Sequence, residues 1–257
     1  MRYFICSNTT KTSKNIEKTI INKLNNRNFI FDEEKPEIVI SVGGDGTMLK
    51  AIHKYENNLN SIGFVGISLE RSLGFLCDFT YEEVEKLIDL IIENKPRYEA
   101  NKLLEVTYKD KVNYFVNEVR LESKFNTLKL KLHINGEHFE DFRSNGFNVA
   151  TPFGSTGYNK SLGGPLVHPR LPSLIFGKIA NINNRIVHSL SFFLLLRHYD
   201  IIEVEGNFND CILGGDNTYE EIKLDEVNKI RITTSQNAVI FLRYGKCDYY
   251  DRVKRSL

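Results

Sequence analysis

The sequence predicts an α/β plus all-β architecture: an N-terminal Rossmann-like α/β domain followed by a C-terminal antiparallel β-sandwich domain. Three observations carry this. Up to about Lys95, short apolar runs alternate with stretches of helical periodicity, the pattern of βαβ units around a parallel sheet. After Pro96 the texture changes to strict alternation, as in Leu128-Lys129-Leu130-Lys131-Leu132-His133-Ile134, followed by Asn135-Gly136; this reads as a strand with one wet face, ending in a tight hairpin turn. The 257 residues, 41% of them hydrophobic, are enough to bury cores of domain size.

In chain order, Tyr3-Phe4-Ile5-Cys6 reads as a first strand and Ser13 to Asn25 as a helix. Glu37 to Val42 is a near-continuous β-branched run, which suits a parallel strand covered on both faces. Gly46 to Tyr55 is read as a helix and Gly63 to Ser68 as another buried strand. Between Tyr81 and Asn94, Val84, Leu87, Ile88 and Ile91 recur at helical spacing, and Pro96 stops that helix. In the second half the strand candidates are Leu103 to Tyr108, Val112 to Leu121, the hairpin arms Leu128 to Ile134 and Glu137 to Phe142, Ile201 to Glu205, Glu221 to Leu224, Lys229 to Thr233 and Ala238 to Arg243. There, only Ser173 to Ile182 looks helical. The half is expected to pack as a sandwich or distorted barrel. The boundaries implied are 1–97 for the N-terminal domain and 98–244 for the C-terminal one.

Composition excludes several classes. A formal net charge of +1 argues against a duplex nucleic-acid binder. The four cysteines, Cys6, Cys77, Cys211 and Cys247, form no CxxC pair, so they read as buried thiols in a reducing compartment. None of the six histidines shows metal-binding spacing, and His133 and His138, facing each other across the hairpin, read as surface residues. The longest apolar run, Phe192 to Leu196, is far shorter than the ~20 residues of a membrane span. A cytoplasmic protein with no membrane association is expected.

The chemistry gathers at Val42-Gly43-Gly44-Asp45-Gly46-Thr47, where a strand gives way to a helix. Glycines let backbone approach a ligand, and the helix start offers N–H groups to phosphate. Neither a GxxxxGK[ST] loop nor GxGxxG spacing is present, which sets aside P-loop NTPases and the standard dinucleotide fingerprint. Asp45 would repel phosphate unless it holds Mg²⁺ or accepts a proton from an attacking hydroxyl; a turn-forming Asp beside Gly is the plainer alternative.

The GGDGT turn resembles the signature shared by NAD kinases, diacylglycerol and sphingosine kinases and 6-phosphofructokinases. Three further segments are similar to the NAD kinase family in particular: Asn117-Glu118, Thr151-Pro152-Phe153-Gly154-Ser155-Thr156-Gly157-Tyr158-Asn159-Lys160-Ser161, and Leu162-Gly163-Gly164-Pro165-Leu166-Val167-His168-Pro169. Their order and spacing match over nearly the whole chain, which resembles a compact bacterial-type NAD kinase. The resemblance implies transfer of a phosphoryl group from ATP, or from other nucleoside triphosphates or polyphosphate, to the 2′-hydroxyl of the adenosine ribose of NAD. It implies Mg²⁺ bound with the ATP phosphates, no dedicated metal site, and a homotetramer rather than a dimer. A tail of residues 245–257 would return to the N-terminal domain, docking by Tyr249, Tyr250 and Val253.

By the same resemblance Asp45 is the proton acceptor, and Gly43, Gly44, Gly46 and Thr47 shape the turn and offer N–H groups to phosphate. Asn117 and Glu118 suit a nucleoside. Thr156, Gly157, Tyr158 and Ser161 match positions lining the NAD pocket; Gly157 stands where many members have Ala, which should leave room. Phe75 matches an aromatic beside the adenine, and Ala180 a segment reaching the nicotinamide half, partly from a neighbouring subunit. Arg143-Ser144-Asn145-Gly146 matches an Arg-x-Asp-Gly segment, with Asn145 replacing the acid and removing a charge. Gly214-Gly215-Asp216-Asn217 resembles another pocket segment, in which Asn217 falls where members vary. Two other readings remain: a GGDGT lipid kinase, which would have an acidic residue soon after that turn and no TPxGST segment, and a non-catalytic NAD(P) sensor.

Overall fold

The computed structural model describes residues 1–70, 74–93, 95–186, 188–220, 227–245 and 248–256. The chain forms two units, one of residues 1–101 with 237–257 and one of residues 102–236.

The first unit begins β1 (Arg2–Ser7), α1 (Lys11–Asn25), β2 (Ile30–Phe31), β3 (Ile38–Gly43), α2 (Asp45–Lys54), β4 (Gly63–Ser68), β5 (Phe79–Thr80) and α3 (Val84–Glu93). The strands lie in the order β4-β3-β1-β2, with β5 beside the end of β4, and every one of these pairings is parallel. From Ile38 to Val42, β3 is buried at every position, as its β-branched run predicts for a strand covered on both faces. One face presents Ile38, Ile40 and Val42 to Ile20 and Leu24 of α1 and Val84, Leu87, Ile88 and Ile91 of α3. Thr10 caps α1 by accepting the Ser13 N–H, and the Ser13 hydroxyl donates to the Val42 carbonyl at 2.9 Å. This ties the first helix to the strand that ends at the glycine-rich turn.

The second unit takes up β6 (Arg97–Tyr108), which starts in the first, then β7 (Lys111–Phe115), β8 (Glu118–Ser123), β9 (Leu128–Ile134), β10 (Glu137–Ser144), β11 (Gly146–Ala150), α4 (Tyr158–Ser161), β12 (Ser173–Ile179), β13 (Leu194–Arg197), β14 (Ile202–Gly206), β15 (Cys211–Gly215) and β16 (Thr218–Glu220). One layer carries the order β13-β12-β11-β8-β15-β16, all antiparallel. The other contains β10-β9-β14 and the β6–β7 hairpin. Their inner faces share one core, in which Phe176 stacks on Phe147 and meets Phe142 edge-on. Asn145 is the corner at which the chain leaves one layer for the other: its carbonyl takes the Ser123 N–H and its N–H goes to Ile179. Finally β17 (Lys229–Arg243) pairs antiparallel with β14 in its first part and parallel with β4 at Ile240 and Phe241, and α5 (Tyr249–Ser256) follows in the first unit.

Several expectations are corrected. Ser173 to Ile182 is not a helix; Ser173–Ile179 is β12, buried on both sides between β11 and β13. An unbroken apolar run fits a covered strand as well as a helix, so periodicity misleads there. Val112 to Leu121 is two strands, broken at Val116-Asn117. Lys229 to Arg243 is one continuous strand; the polar run Thr233-Thr234-Ser235-Gln236-Asn237 interrupts the apolar pattern, but β-branched threonines keep the backbone extended. The Asn135-Gly136 turn has both residues at positive φ, 55° and 84°, as a type I′ hairpin requires. His133 does pair with His138, with ring centroids 5.5 Å apart, but it is half-buried, its Nε2 3.6 Å from Glu205, not a free surface residue. Cys77 and Cys211 are buried and Cys6 half-buried; Cys247 and the Glu221 to Leu224 strand candidate lie outside the described residues.

Candidate active site

In the first unit β3 ends at Gly43 and α2 begins at Asp45. Gly44 sits between them at φ +155° and accepts the Thr47 and Met48 N–H groups, both at 3.0 Å; a side chain there would be strained. The Thr47 N–H is thereby taken up within the turn. Asp45 is the first residue of the helix, where a carboxylate meets the positive end of the dipole. Its Oδ2 accepts the Phe75 N–H at 2.7 Å and its Oδ1 the Leu76 N–H at 3.0 Å. A side chain at Gly74 would collide with this carboxylate. Burial raises the Asp45 pKa, against the opposing pull of those two amides and of Arg243 and Arg252.

Behind the Phe75–Leu76 segment lies a buried charge cluster. Arg243, at the end of β17, donates to the Leu76 carbonyl at 3.2 Å and to Asp78 at 3.1 Å, and its guanidinium approaches Glu99 at 3.4 Å. Arg252 of α5 donates to the Phe75 carbonyl at 3.2 Å and meets Asp78 at 3.0 Å. Asp78, Arg243 and Arg252 are 7%, 3% and 4% exposed, so their charges compensate one another away from water. The Phe75 ring lies 6.3 Å from that of Tyr249. Tyr250 is 64% exposed, and Val253 half-buried; among the residues of this helix whose burial is described, Arg252 is the buried one.

In the second unit Asn117 ends the break between β7 and β8, and Glu118 is the first residue of β8. Asp216 accepts the Val116 and Asn117 N–H groups at 2.5 and 2.8 Å. The Thr151 hydroxyl donates to the Val116 carbonyl at 2.7 Å and also reaches that of Asn117. Gly154 and Gly215 press so close that a Cβ on either would run into the Asn117 or Glu118 carbonyl. Backbone donors and acceptors of the segment are thus satisfied, which leaves the Asn117 side chain half-exposed. Glu118 is 9% exposed; burial first, then the charge of Asp216, push its pKa up to about 7, and Arg120 and the Tyr158 N–H pull the other way. A Cβ at Gly157 would lie 3.1 Å from Glu118 Oε2, so glycine there leaves room for this carboxyl group.

The Thr151–Ser161 segment is pinned to itself. The Ser155 hydroxyl donates to Pro152 and accepts from Val167, and buried Asn159 donates to the Ser155 and Pro165 carbonyls. Thr156 donates its hydroxyl to Phe153, Tyr158 donates to Glu122 at 2.9 Å, and Arg120 lies over the Tyr158 ring at 4.4 Å. Tyr158 is therefore an oriented ring, while Ser161 ends α4 exposed.

The remaining sequence candidates are placed as follows. Ala180 follows β12 at φ +46°, unusual for a residue with a side chain. Arg143 and Asn145 are exposed, on either side of buried Ser144. Asp216 and Asn217, at φ 49° and 63°, form the two-residue turn between β15 and β16, which accounts for Asn217 as a turn former. Sequence reading placed Asp216 only within the Gly214–Asn217 segment and missed Asp78, Glu99, Arg243 and Arg252, which act on partners more than 140 residues away.

A family model of the ATP-NAD kinase N-terminal domain matches residues 5–96, and one of the ATP-NAD kinase C-terminal domain matches residues 116–244. The chain belongs to the NAD kinase family. Relatives named NAD kinase include one from Staphylococcus epidermidis, 37% identical over 264 residues covering 100% of this chain and 97% of the relative. One from Lactobacillus acidophilus is 34% identical, covering 96% and 93%. In fold the chain resembles a yeast NADH kinase solved with NADH, at TM-score 0.86 and 20% identity, covering 99% of this chain and 86% of that one. It also resembles an Archaeoglobus fulgidus NAD kinase solved with ATP, at TM-score 0.77 and 22% identity, covering 99% of both.

Proposed function

We propose that this chain transfers the γ-phosphoryl group of MgATP to the 2′-hydroxyl of the adenosine ribose of NAD, forming NADP. The observation that carries this is full-length similarity at 37% identity to a relative named NAD kinase, in a chain that keeps Asp45 at a helix start. Phosphoryl transfer needs placement, charge neutralisation and a proton acceptor. Asp45 is the acceptor: each oxygen takes one backbone N–H, and a carboxylate retains lone pairs for a hydroxyl. Its burial-raised pKa makes it a better base than an exposed aspartate. Gly44, Gly46 and Thr47 lie at the start of α2, which favours phosphate. Mg²⁺ comes with ATP as part of the substrate; among the described residues no group of three or more His, Cys, Asp or Glu could hold a metal.

Asn117 and Glu118 bind nucleoside hydroxyl and base groups, and Tyr158, held by Glu122 and Arg120, offers a ring to stack on. Thr156, Gly157 and Ser161 flank that ring, Phe75 serves adenine, and Arg143, Asn145, Ala180 and Asn217 serve the rest of the dinucleotide. The tail, 245–257, works with the N-terminal domain. The protein is cytoplasmic and homotetrameric; exposure of Ile186, Phe192, Leu195 and Tyr199 supports assembly, and no described helix is long and apolar enough to cross a membrane.

The test is purified protein with ATP, Mg²⁺ and NAD or NADH, followed by NADP(H) detection. Product is expected with at least one acceptor. Absence of product from folded protein under every condition overturns the reading.

A further inference from the structure

The geometry points to Arg252 and Arg243 as positioning residues that hold Asp45 in its working orientation and charge state. This rests on the reading of Asp45 as the proton acceptor. Two consecutive residues, Phe75 and Leu76, link these arginines to Asp45. The N–H groups of Phe75 and Leu76 both donate to Asp45. The carbonyls of the same two residues both accept from guanidinium groups, Phe75 from Arg252 and Leu76 from Arg243. Each residue is therefore gripped from both ends, and the segment cannot rotate its amides away from Asp45 without breaking a buried charge-assisted bond.

The arginines are fixed in turn. Both meet Oδ1 of buried Asp78, and Arg243 also approaches Glu99. Among the described residues, the charged and titratable groups that act on Asp45 are Arg243, Arg252 and the thiol of Cys77, with Asp78 and Glu99 beyond them. Cys77 is held neutral by burial and by the negative charges of Asp45 and Asp78, whereas the two guanidiniums set positive charge against the base. They pull the Asp45 pKa down against the effect of burial. A base needs this compromise: enough desolvation to want the proton, enough positive charge to remain ionised near neutrality.

The experiment is the pH profile of kcat, with KM for NAD and for MgATP, in wild type, Arg252→Gln and Arg252→Lys. Arg252→Gln is expected to lower kcat about 10- to 100-fold, the range for small misplacement of a reacting group, with both KM values within about threefold. Its acid limb moves to higher pH, because a positive charge near the carboxylate is gone. Arg252→Lys keeps the charge but loses the fork that reaches both Phe75 and Asp78; its acid limb stays in place while kcat falls less. If Arg252→Gln keeps wild-type kcat and acid limb, the inference is overturned. Arg252→Lys with wild-type kcat overturns it whether or not Arg252→Gln folds. Asp45→Asn separates the two claims: an active Asp45→Asn sinks the base assignment, whereas an inactive one beside unaffected Arg252 variants sinks only the positioning role.

Discussion

The Asp45 turn and the Val116-Asn117 break use the same chemistry in opposite senses. At Asp45 the carboxylate of the proposed base is held by two backbone amides of the Phe75–Leu76 segment. At Val116 and Asn117 two backbone amides are held by a carboxylate, Asp216. Their electrostatics differ as well. Arginines stand behind the first and draw its pKa down against burial. The second places Glu118 near another acid, with its pKa at about 7. In the first region burial and two arginines pull the acid in opposite directions, and in the second burial and a neighbouring acid push together.

The largest expected effect tests the first sense. Asp45→Asn keeps the shape but loses the base, and turnover should fall by roughly 10²–10⁴ while NAD affinity holds within a few-fold; steady-state kinetics with calorimetric titration checks it. Next is the charge cluster. Asp78→Ala leaves two arginines without their shared partner, and a loss of about 3–5 kcal/mol is expected in urea denaturation. Asp216→Ala is expected to cost less, on the order of 1–3 kcal/mol for amides left unpaired, and to raise KM for NAD more than it lowers kcat. Reversal of that pattern would mean that the Asn117 segment does not position substrate.

The last effect concerns Glu118 and shows only as a change with pH. Its folded pKa of about 7 lies above its ordinary 4.5, so folding is favoured by the protonated form. That contribution is complete below about pH 4.5 and is lost as pH rises through about 7. Its size is on the order of 3 kcal/mol. Glu118→Gln, neutral throughout, should therefore gain stability relative to wild type as pH is raised from 5 to 8, measured by urea denaturation at each pH. A constant difference would place the Glu118 pKa in the ordinary range.

The parts of this picture legible in sequence are those written locally. Parallel β3 shows as a β-branched run and β4 as a short buried strand, the β9–β10 hairpin as alternation around Asn135-Gly136, and Asp45 and Asn117-Glu118 inside motifs a few residues long. What sequence hides is pairing at a distance. Arg252 reads as one more basic residue on a polar helix, because its partners Phe75 and Asp78 lie about 175 positions away. Asp216 reads as a turn residue, because the amides it accepts belong to another strand end. The misreading of β12 has the opposite cause: burial on both faces erases the alternation that marks a strand.

One consequence concerns synthesis. Residues 102–236 form a unit that is contiguous in the chain, whereas the unit around Asp45 joins 1–101 to 237–257. On the ribosome the contiguous unit can mature first, and the other must wait for a strand and a helix made more than a hundred residues later. Since Arg243 and Arg252 are in that late portion, a partly made chain would carry Asp45 without the groups that fix it. Catalytic competence would then be the last property the nascent protein acquires.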